Sequence, residues 1–195
     1  NYNYLINYSI LNAKKKINNS EFFGPKYFFD NSYNEATNIK IIKKVFVTFG
    51  GSDFHNYGEQ IANIVTKINL EKVRFIINFG PGFKKKKFDN IKKKFSKQKI
   101  IFLYNSQNYE KYLKESDLVI SGGGITAYKV AKSLKPLFII PGSVFEEKIA
   151  NKLNELKCAI KLKTFKNKLN EIYFQKIITE AQENKNYFLP MVKMQ

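Results

Sequence analysis

From Val45 onward, short apolar runs alternate with stretches in which apolar residues recur every three or four positions. The runs are VFVTF (45–49), VRFIINF (73–79), KIIFLY (99–104), DLVIS (117–121), LFIIP (137–141) and CAIKL (158–162). Their length and their β-branched and aromatic content predict strands. The periodic stretches predict helices over Tyr57 to Ile68, Phe88 to Phe95, Tyr109 to Glu115, Ile125 to Leu134, Phe145 to Leu156, and about Lys168 to Glu183. Nearly continuous apolar strands joined through helices predict a parallel sheet covered on both faces, since parallel strands need crossovers and those crossovers bury both surfaces. Right-handed crossovers make this a doubly wound, Rossmann-like α/β fold in which ligands bind beyond the carboxyl ends of the strands.

Residues 1–44 break the alternation. NYLINYSILNA reads as a strand and its exit, and FFGPKYFFDNSYNEA carries a Gly-Pro turn with clustered aromatics. The chain begins with Asn1, and the expectation is that residues 1–44 are the end of a preceding domain and its linker, with 45–195 forming the Rossmann-like domain and its last helix.

With 195 residues, 44% of them hydrophobic, the chain is long enough to bury an ordinary core. No apolar run reaches the roughly 18 to 20 residues that span a bilayer, and the first residues lack the basic and apolar regions of a secretory leader. A cytoplasmic protein without a transmembrane segment is expected. Cys158 is the sole cysteine, which excludes a disulfide scaffold and a cysteine metal site and predicts a small core residue. The formal charge of +18 raises nucleic acid or an anionic surface as a partner. Almost all of that charge is lysine, however, with Arg74 the single arginine, and arginine is the residue suited to bidentate phosphate and base contacts. The lysines accompany abundant Asn, Ile, Phe and Tyr, residues of A/T-rich codons, so the charge reads as compositional drift and a nucleic-acid partner is not expected. FKKKKF (83–88) reads as a solvated loop and helix start.

Two glycine loops carry the candidate chemistry. In KKVFVTFGGSDFHN, Gly50 and Gly51 follow the first strand of the domain and Ser52 offers a hydroxyl. In DLVISGGGITAYKVA, Ser121, Gly122, Gly123 and Gly124 follow another strand, and Thr126 falls in the next helical turn. Glycine lets the backbone turn and lets a ligand approach the main chain, and amides at a helix start favour phosphate. Two such loops at one sheet edge could clamp a diphosphate, although each is also an ordinary turn. Neither carries the Gly-Lys-Ser/Thr ending of a nucleotide triphosphate loop, and neither is the dinucleotide pattern G-x-G-x-x-G.

These residues, together with FGPGF (79–83), the stretch YEKYLKESDLVISGGGITAYKVAKSLKPLFIIP and the following FEEKIANKLNELKCAIKL, resemble the C-terminal domain of GT-B-fold nucleotide-sugar enzymes. The nearest resemblance is to the UDP-sugar hydrolase of pseudaminic acid biosynthesis and related spore-coat polysaccharide proteins, with MurG-type glycosyltransferases more distant. The resemblance implies a diphosphate held at Gly50, Gly51, Ser52 and at the loop Ser121 to Thr126, and a uracil near Asn105 and Ser106. It implies no cofactor and no metal. In relatives the helix after the second loop carries a glutamate that holds the ribose hydroxyls, and this chain has Lys129 there, an ammonium that only donates. Where relatives often have Asn-Gln facing the sugar, this chain has Glu146 and Glu147, whose charge opposes a phosphate. Asn151 matches a family asparagine near the same place.

No catalytic residue is legible. His55, the only histidine, invites assignment as a general base, but the resemblance places the catalytic histidine of the hydrolases in an N-terminal domain whose motif this chain lacks. His55 is therefore read as loop structure or ligand contact, Asp53 as a helix cap, and Asp117 as a strand start. The resemblance implies a UDP-sugar bound between this domain and an N-terminal partner domain. The GGSD followed by His-Asn favours the sugar-nucleotide hydrolase. Glycosyl transfer from a UDP-sugar, and a noncatalytic nucleotide-binding or polyanion-binding domain, are the alternatives.

Overall fold

The computed structural model describes residues 5–12, 21–23, 28, 41–68, 70, 72–133, 135–184 and 187–188. Strands β1 (Leu5–Asn7) and β2 (Glu21–Phe23) pair in parallel as a small separate sheet. The main sheet contains β3 (Lys44–Thr48), β4 (Arg74–Phe79), β5 (Ile100–Tyr104), β6 (Leu118–Ser121), β7 (Leu137–Ile139) and β8 (Ile160–Lys161). Its order is β5-β4-β3-β6-β7-β8, parallel throughout. The doubly wound expectation is met: the chain runs outward from β3 to β5, crosses back to β6 on the other side of β3, and continues to β8.

The crossovers are α1 (Tyr57–Val65), α2 (Lys85–Lys94), α3 (Tyr109–Glu115), α4 (Ile125–Lys132) and α5 (Val144–Glu155), and α6 (Glu171–Glu183) closes the domain. Alternation along the strands splits the core in two. Val45, Val47, Ile77 and Phe79 face α1, α2 and α6, while Phe46, Ile76 and Val119 face α3, α4 and α5. Ile10, in the short 3-10 turn Ile10–Asn12, is buried on the second face, where its amide donates to the Tyr128 hydroxyl at 3.0 Å.

Where boundaries depart from the sequence pattern, local chemistry accounts for it. α1 stops at Val65 rather than Ile68, its end tightening into an i→i−3 bond from the Lys67 amide to the Ile64 carbonyl at 3.0 Å while the Thr66 hydroxyl donates to the Asn63 carbonyl at 3.0 Å. α2 starts at Lys85, three residues before Phe88. Phe88, Ile91 and Phe95 lie on one buried face, and Lys85 Nζ sits 4.9 Å from the Phe88 ring, so the lysine run is accommodated within the helix. The CAIKL run gives only a two-residue strand, because Lys157 adopts φ 56° and the Cys158 amide returns to the Leu153 carbonyl at 2.8 Å. That 6→1 bond ends α5 in a Schellman turn. Cys158 is half-buried against the second core rather than within it, and burial pushes its thiol up. Lys168 and Leu169, expected to start the last helix, instead form β10 (Lys168–Leu169), which pairs with β9 (Thr164–Phe165) as a hairpin. α6 begins after it, capped by Asn170, whose side chain accepts from the Tyr173 amide at 2.9 Å.

Candidate functional site

The two glycine loops leave β3 and β6, which are neighbours at the centre of the sheet and the strands between which the order reverses. Such a switch point opens a crevice beyond the carboxyl ends, since the connections on either side depart to opposite faces. Below the crevice Asn78, Thr48 and Ser121 are in register across β4, β3 and β6, and all three are buried. Thr48 Oγ1 and Asn78 Oδ1 have no hydrogen-bond partner among the described residues.

The first loop is built against a third glycine loop. Gly50 turns with φ 65°, and a Cβ on Gly80 would lie 2.2 Å from the Gly50 carbonyl, so the chain after β4 passes where no side chain fits. The Gly82 amide donates to the Gly51 carbonyl at 2.8 Å. On its other side Gly51 is open, with no atom within 4 Å of where a Cβ would stand. Ser52 is exposed beside it.

The amides that follow are already used. Asp53, only 4% exposed, accepts from the Tyr57 amide with Oδ1 and from the Gly58 amide with Oδ2, both at 2.8 Å. It therefore caps α1 as expected. Burial raises its carboxyl above the ordinary value, outweighing the two amides and the charges of Lys87 and His55, which act the other way. His55 Nε2 lies 2.9 Å from the Gly142 carbonyl and ties this loop to the one after β7. The contact is structural, and no carboxylate among the described residues hydrogen-bonds to the ring to orient it as a base.

The second loop differs at its helix. α5 is capped by Ser143, which accepts from the Glu146 amide at 3.2 Å, and α1 by Asp53. α4, with Gly124 at its N-cap position, has no side-chain cap, so its first amides are open donors beside this loop, and the starts of α2 and α3 are likewise uncapped. Thr126 Oγ1 meets Tyr109 Oη at 2.8 Å, joining the starts of α4 and α3. Ser121 is fully buried, and its hydroxyl donates to the Gly122 carbonyl at 2.9 Å, which leaves its main chain rather than its side chain at the crevice.

Glu146 lies over this loop. A Cβ on Gly122 would be 3.0 Å from Glu146 Oε2, and one on Gly123 would be 2.6 Å from the Glu146 carbonyl. A cavity of about 130 Å³ between the loops is lined by Ser52, Asp53, His55, Gly122, Gly142 and Glu146 among others. Of the expected site residues, Ser52, Gly122 and Glu146 line this cavity, while Gly123 and Gly124 line a separate hollow of about 380 Å³ with Tyr8 and Tyr128. Glu147 and Asn151 face Lys161 on β8 instead: Lys161 Nζ pairs with the Glu147 carboxylate and donates to Asn151 Oδ1 at 2.7 Å. Lys129 is held by Glu110 at 2.5 Å. Asn105 turns with φ 46° after the edge strand β5, its amide bonded to the Phe79 carbonyl at 2.8 Å, and Ser106 Oγ accepts from the Asn108 amide at 3.2 Å. This segment reaches the crevice through α3, whose first residue contacts Thr126. No group of three or more potential metal ligands occurs among the described residues.

Residues 44–148, just over half of the chain and including both glycine loops, match the family described as "Glycosyltransferase family 28 C-terminal domain". No curated protein sequence matches. Among solved structures, UGT2 of Phytolacca americana, complexed with UDP-2fluoro-glucose and pterostilbene, is similar with a TM-score of 0.62 at 13% identity, over 98% of this chain and 46% of that one. The spinosyn rhamnosyltransferase SpnG complexed with thymidine diphosphate matches with a TM-score of 0.57 at 13% identity, over 83% of this chain and 41% of that one. A putative UDP-N-acetylglucosamine 2-epimerase from Listeria monocytogenes matches with a TM-score of 0.54 at 12% identity, over 87% and 45%. At these identities the likeness is one of fold, and this chain spans less than half the length of each.

Proposed function

The chain belongs to the family of glycosyltransferase family 28 C-terminal domains, and from that membership we propose that it is the donor-binding half of an enzyme that transfers a sugar from a UDP-sugar. The observation that carries the reading is the pairing of two glycine loops on adjacent central strands at the switch point, with Gly51 open and the start of α4 uncapped. A diphosphate lying between the loops would take its hydrogen bonds from the α4 amides and approach the main chain at Gly51. As the sugar leaves, negative charge grows on the terminal phosphate, and fixed amides and the helix dipole stabilise it without reorganisation. Holding the anomeric bond in a set direction would add to the rate. The group that activates the acceptor would come from an N-terminal partner domain, with residues 1–44 leading out of it.

Transfer is preferred over sugar-nucleotide hydrolysis. The hydrolase reading rests on the Gly-Gly-Ser-Asp loop followed by His-Asn, and in this fold His55 is engaged by the Gly142 carbonyl. The family match supports transfer instead. Asn105 and Ser106 are proposed to border the base.

Calorimetric titration with UDP, with GDP as control and at two ionic strengths, tests the reading. Saturable binding of UDP over GDP that persists at the higher ionic strength is expected. A folded chain that binds neither nucleotide, or both equally and only at low salt, would overturn it.

A further inference from the structure

The opposite edge of the sheet carries a second concave surface. At the amino ends of β3, β4 and β5, Lys43, Lys44, Lys72, Arg74 and Lys99 surround a groove of about 870 Å³. At this edge Lys44 pairs with Glu115 at 3.1 Å, the Asp117 carboxylate accepts from the Lys43 and Lys44 amides, and the side chains of Lys43, Lys72, Arg74 and Lys99 have no ion-pair partner among the described residues. What sets the groove apart is that neighbouring strands gather these cations around one concave surface, where they repel one another and an anion relieves that repulsion.

The surroundings say which anion. Beside the groove, and sharing Val73, Gln98, Lys99 and Ile100 with it, a hollow of about 260 Å³ is lined by Val65, Ile68, Leu70 and Phe75. Ile101, 38% exposed, lies within the groove, and Ile41, 44% exposed, just precedes the lysines that start β3. Among the described residues no aromatic ring lines the groove to stack a base, and one arginine lines it. Lysines mixed with exposed aliphatic side chains are suited to the boundary between phosphate headgroups and hydrocarbon.

We propose that this edge is a docking surface for an anionic phospholipid bilayer, with headgroup phosphates in the lysine groove and hydrocarbon against Ile41, Ile101 and the adjacent hollow. No helix among the described residues is long and apolar enough to cross a membrane, so the attachment is peripheral. Because the groove lies at the amino ends of the strands, docking leaves the crevice at their carboxyl ends open, and the two surfaces act independently.

Flotation of the full chain with phosphatidylcholine vesicles, with and without phosphatidylglycerol, tests this. Binding that requires phosphatidylglycerol and weakens with salt is expected. Replacing Lys72, Arg74 and Lys99 together by alanine should lower the partition coefficient about a hundredfold, since each cation near an anionic leaflet contributes roughly fivefold. Replacing Lys86, Lys92 and Lys148 by alanine removes the same charge from other surfaces and should lower it far less. Circular dichroism confirms that both triple variants fold. No binding to anionic vesicles would overturn the proposal, as would equal losses in the two triples. It would also be overturned if single-stranded RNA bound in the same salt and the groove triple lost RNA binding while keeping vesicle binding.

Discussion

Glu146 Oε2 accepts a hydrogen bond of 2.7 Å from the Gly142 amide, and the same carboxylate lies against Gly122 at the mouth of α4. It therefore stands beside the start of α4, whose first amides no side chain caps. A carboxylate there is favourable to the empty crevice, because it meets the positive end of the helix. To an incoming diphosphate it is a like charge at short range. Glu146→Gln keeps an oxygen for the Gly142 amide and removes the charge. UDP should bind this variant about tenfold tighter, which corresponds to roughly 1.4 kcal/mol. Calorimetry measures it, and unchanged or weaker binding would show that Glu146 does not oppose the phosphate.

Gly51 and Gly123 separate binding from folding. A methyl on Gly123 would meet the Glu146 carbonyl at 2.6 Å and its Cβ at 2.9 Å, so Gly123→Ala must displace the start of α5. A loss of about 1–3 kcal/mol is expected in denaturant unfolding. A methyl on Gly51 meets nothing within 4 Å and its φ is not positive, so Gly51→Ala should fold with stability close to that of the parent. It would still place a methyl where the ligand is proposed to approach the main chain, and UDP affinity should fall about tenfold or more. A Gly51→Ala chain that binds UDP normally would move the ligand away from the first loop.

The sheet was legible because each strand is a buried apolar run and each crossover has a helical period, two patterns that follow from the same requirement to cover both faces. Both glycine loops were legible for the same reason, since glycine between a strand and a helix has few other uses. The fate of the charged side chains was not. Glu146, Glu147 and Lys129 are all polar positions on helices, and which of them faces the crevice depends on the partner each side chain takes: Gly142, Lys161 and Glu110. Asp53 was readable as a cap, but not that its two oxygens take both the Tyr57 and the Gly58 amides of α1. The hairpin Thr164 to Leu169 was missed, its second strand being read as the start of the last helix. Its signal was the turn pair Lys166-Asn167, both at positive φ, where Asn is tolerated and Lys is not preferred.

That pair gives a prediction of its own. Lys166 and Asn167, at φ 46° and 61°, are the two central residues of a two-residue hairpin loop, the geometry of a type I′ turn. Replacing them by Asn-Gly should stabilise the chain by about 0.5–1 kcal/mol, because these residues enter the left-handed region with less strain. Asn167→Val should destabilise it by about 1–2 kcal/mol. Urea unfolding of both variants checks the pair of signs, and a neutral Asn167→Val would mean that the hairpin is not part of the cooperative unit.

Asp53 links the first loop to pH. Its carboxylate is the sole side-chain acceptor for the first two amides of α1 among the described residues, and it is almost fully buried. Asp53→Asn retains one acceptor and turns an amide NH₂ toward the other backbone N–H, so a loss of about 1–2 kcal/mol is expected. Burial is the dominant influence and raises the folded carboxyl above 3.8, so just above that value the folded chain holds this proton more tightly than the unfolded chain does. The contribution of Asp53 therefore grows as pH falls through the folded value toward 3.8, the reverse of a carboxylate stabilised by an ion pair. Stability of the parent minus that of Asp53→Asn, measured by denaturant unfolding across this window, should increase on acidification. A difference that shrinks instead would mean that the two amide hydrogen bonds outweigh burial and that the folded carboxyl lies below 3.8.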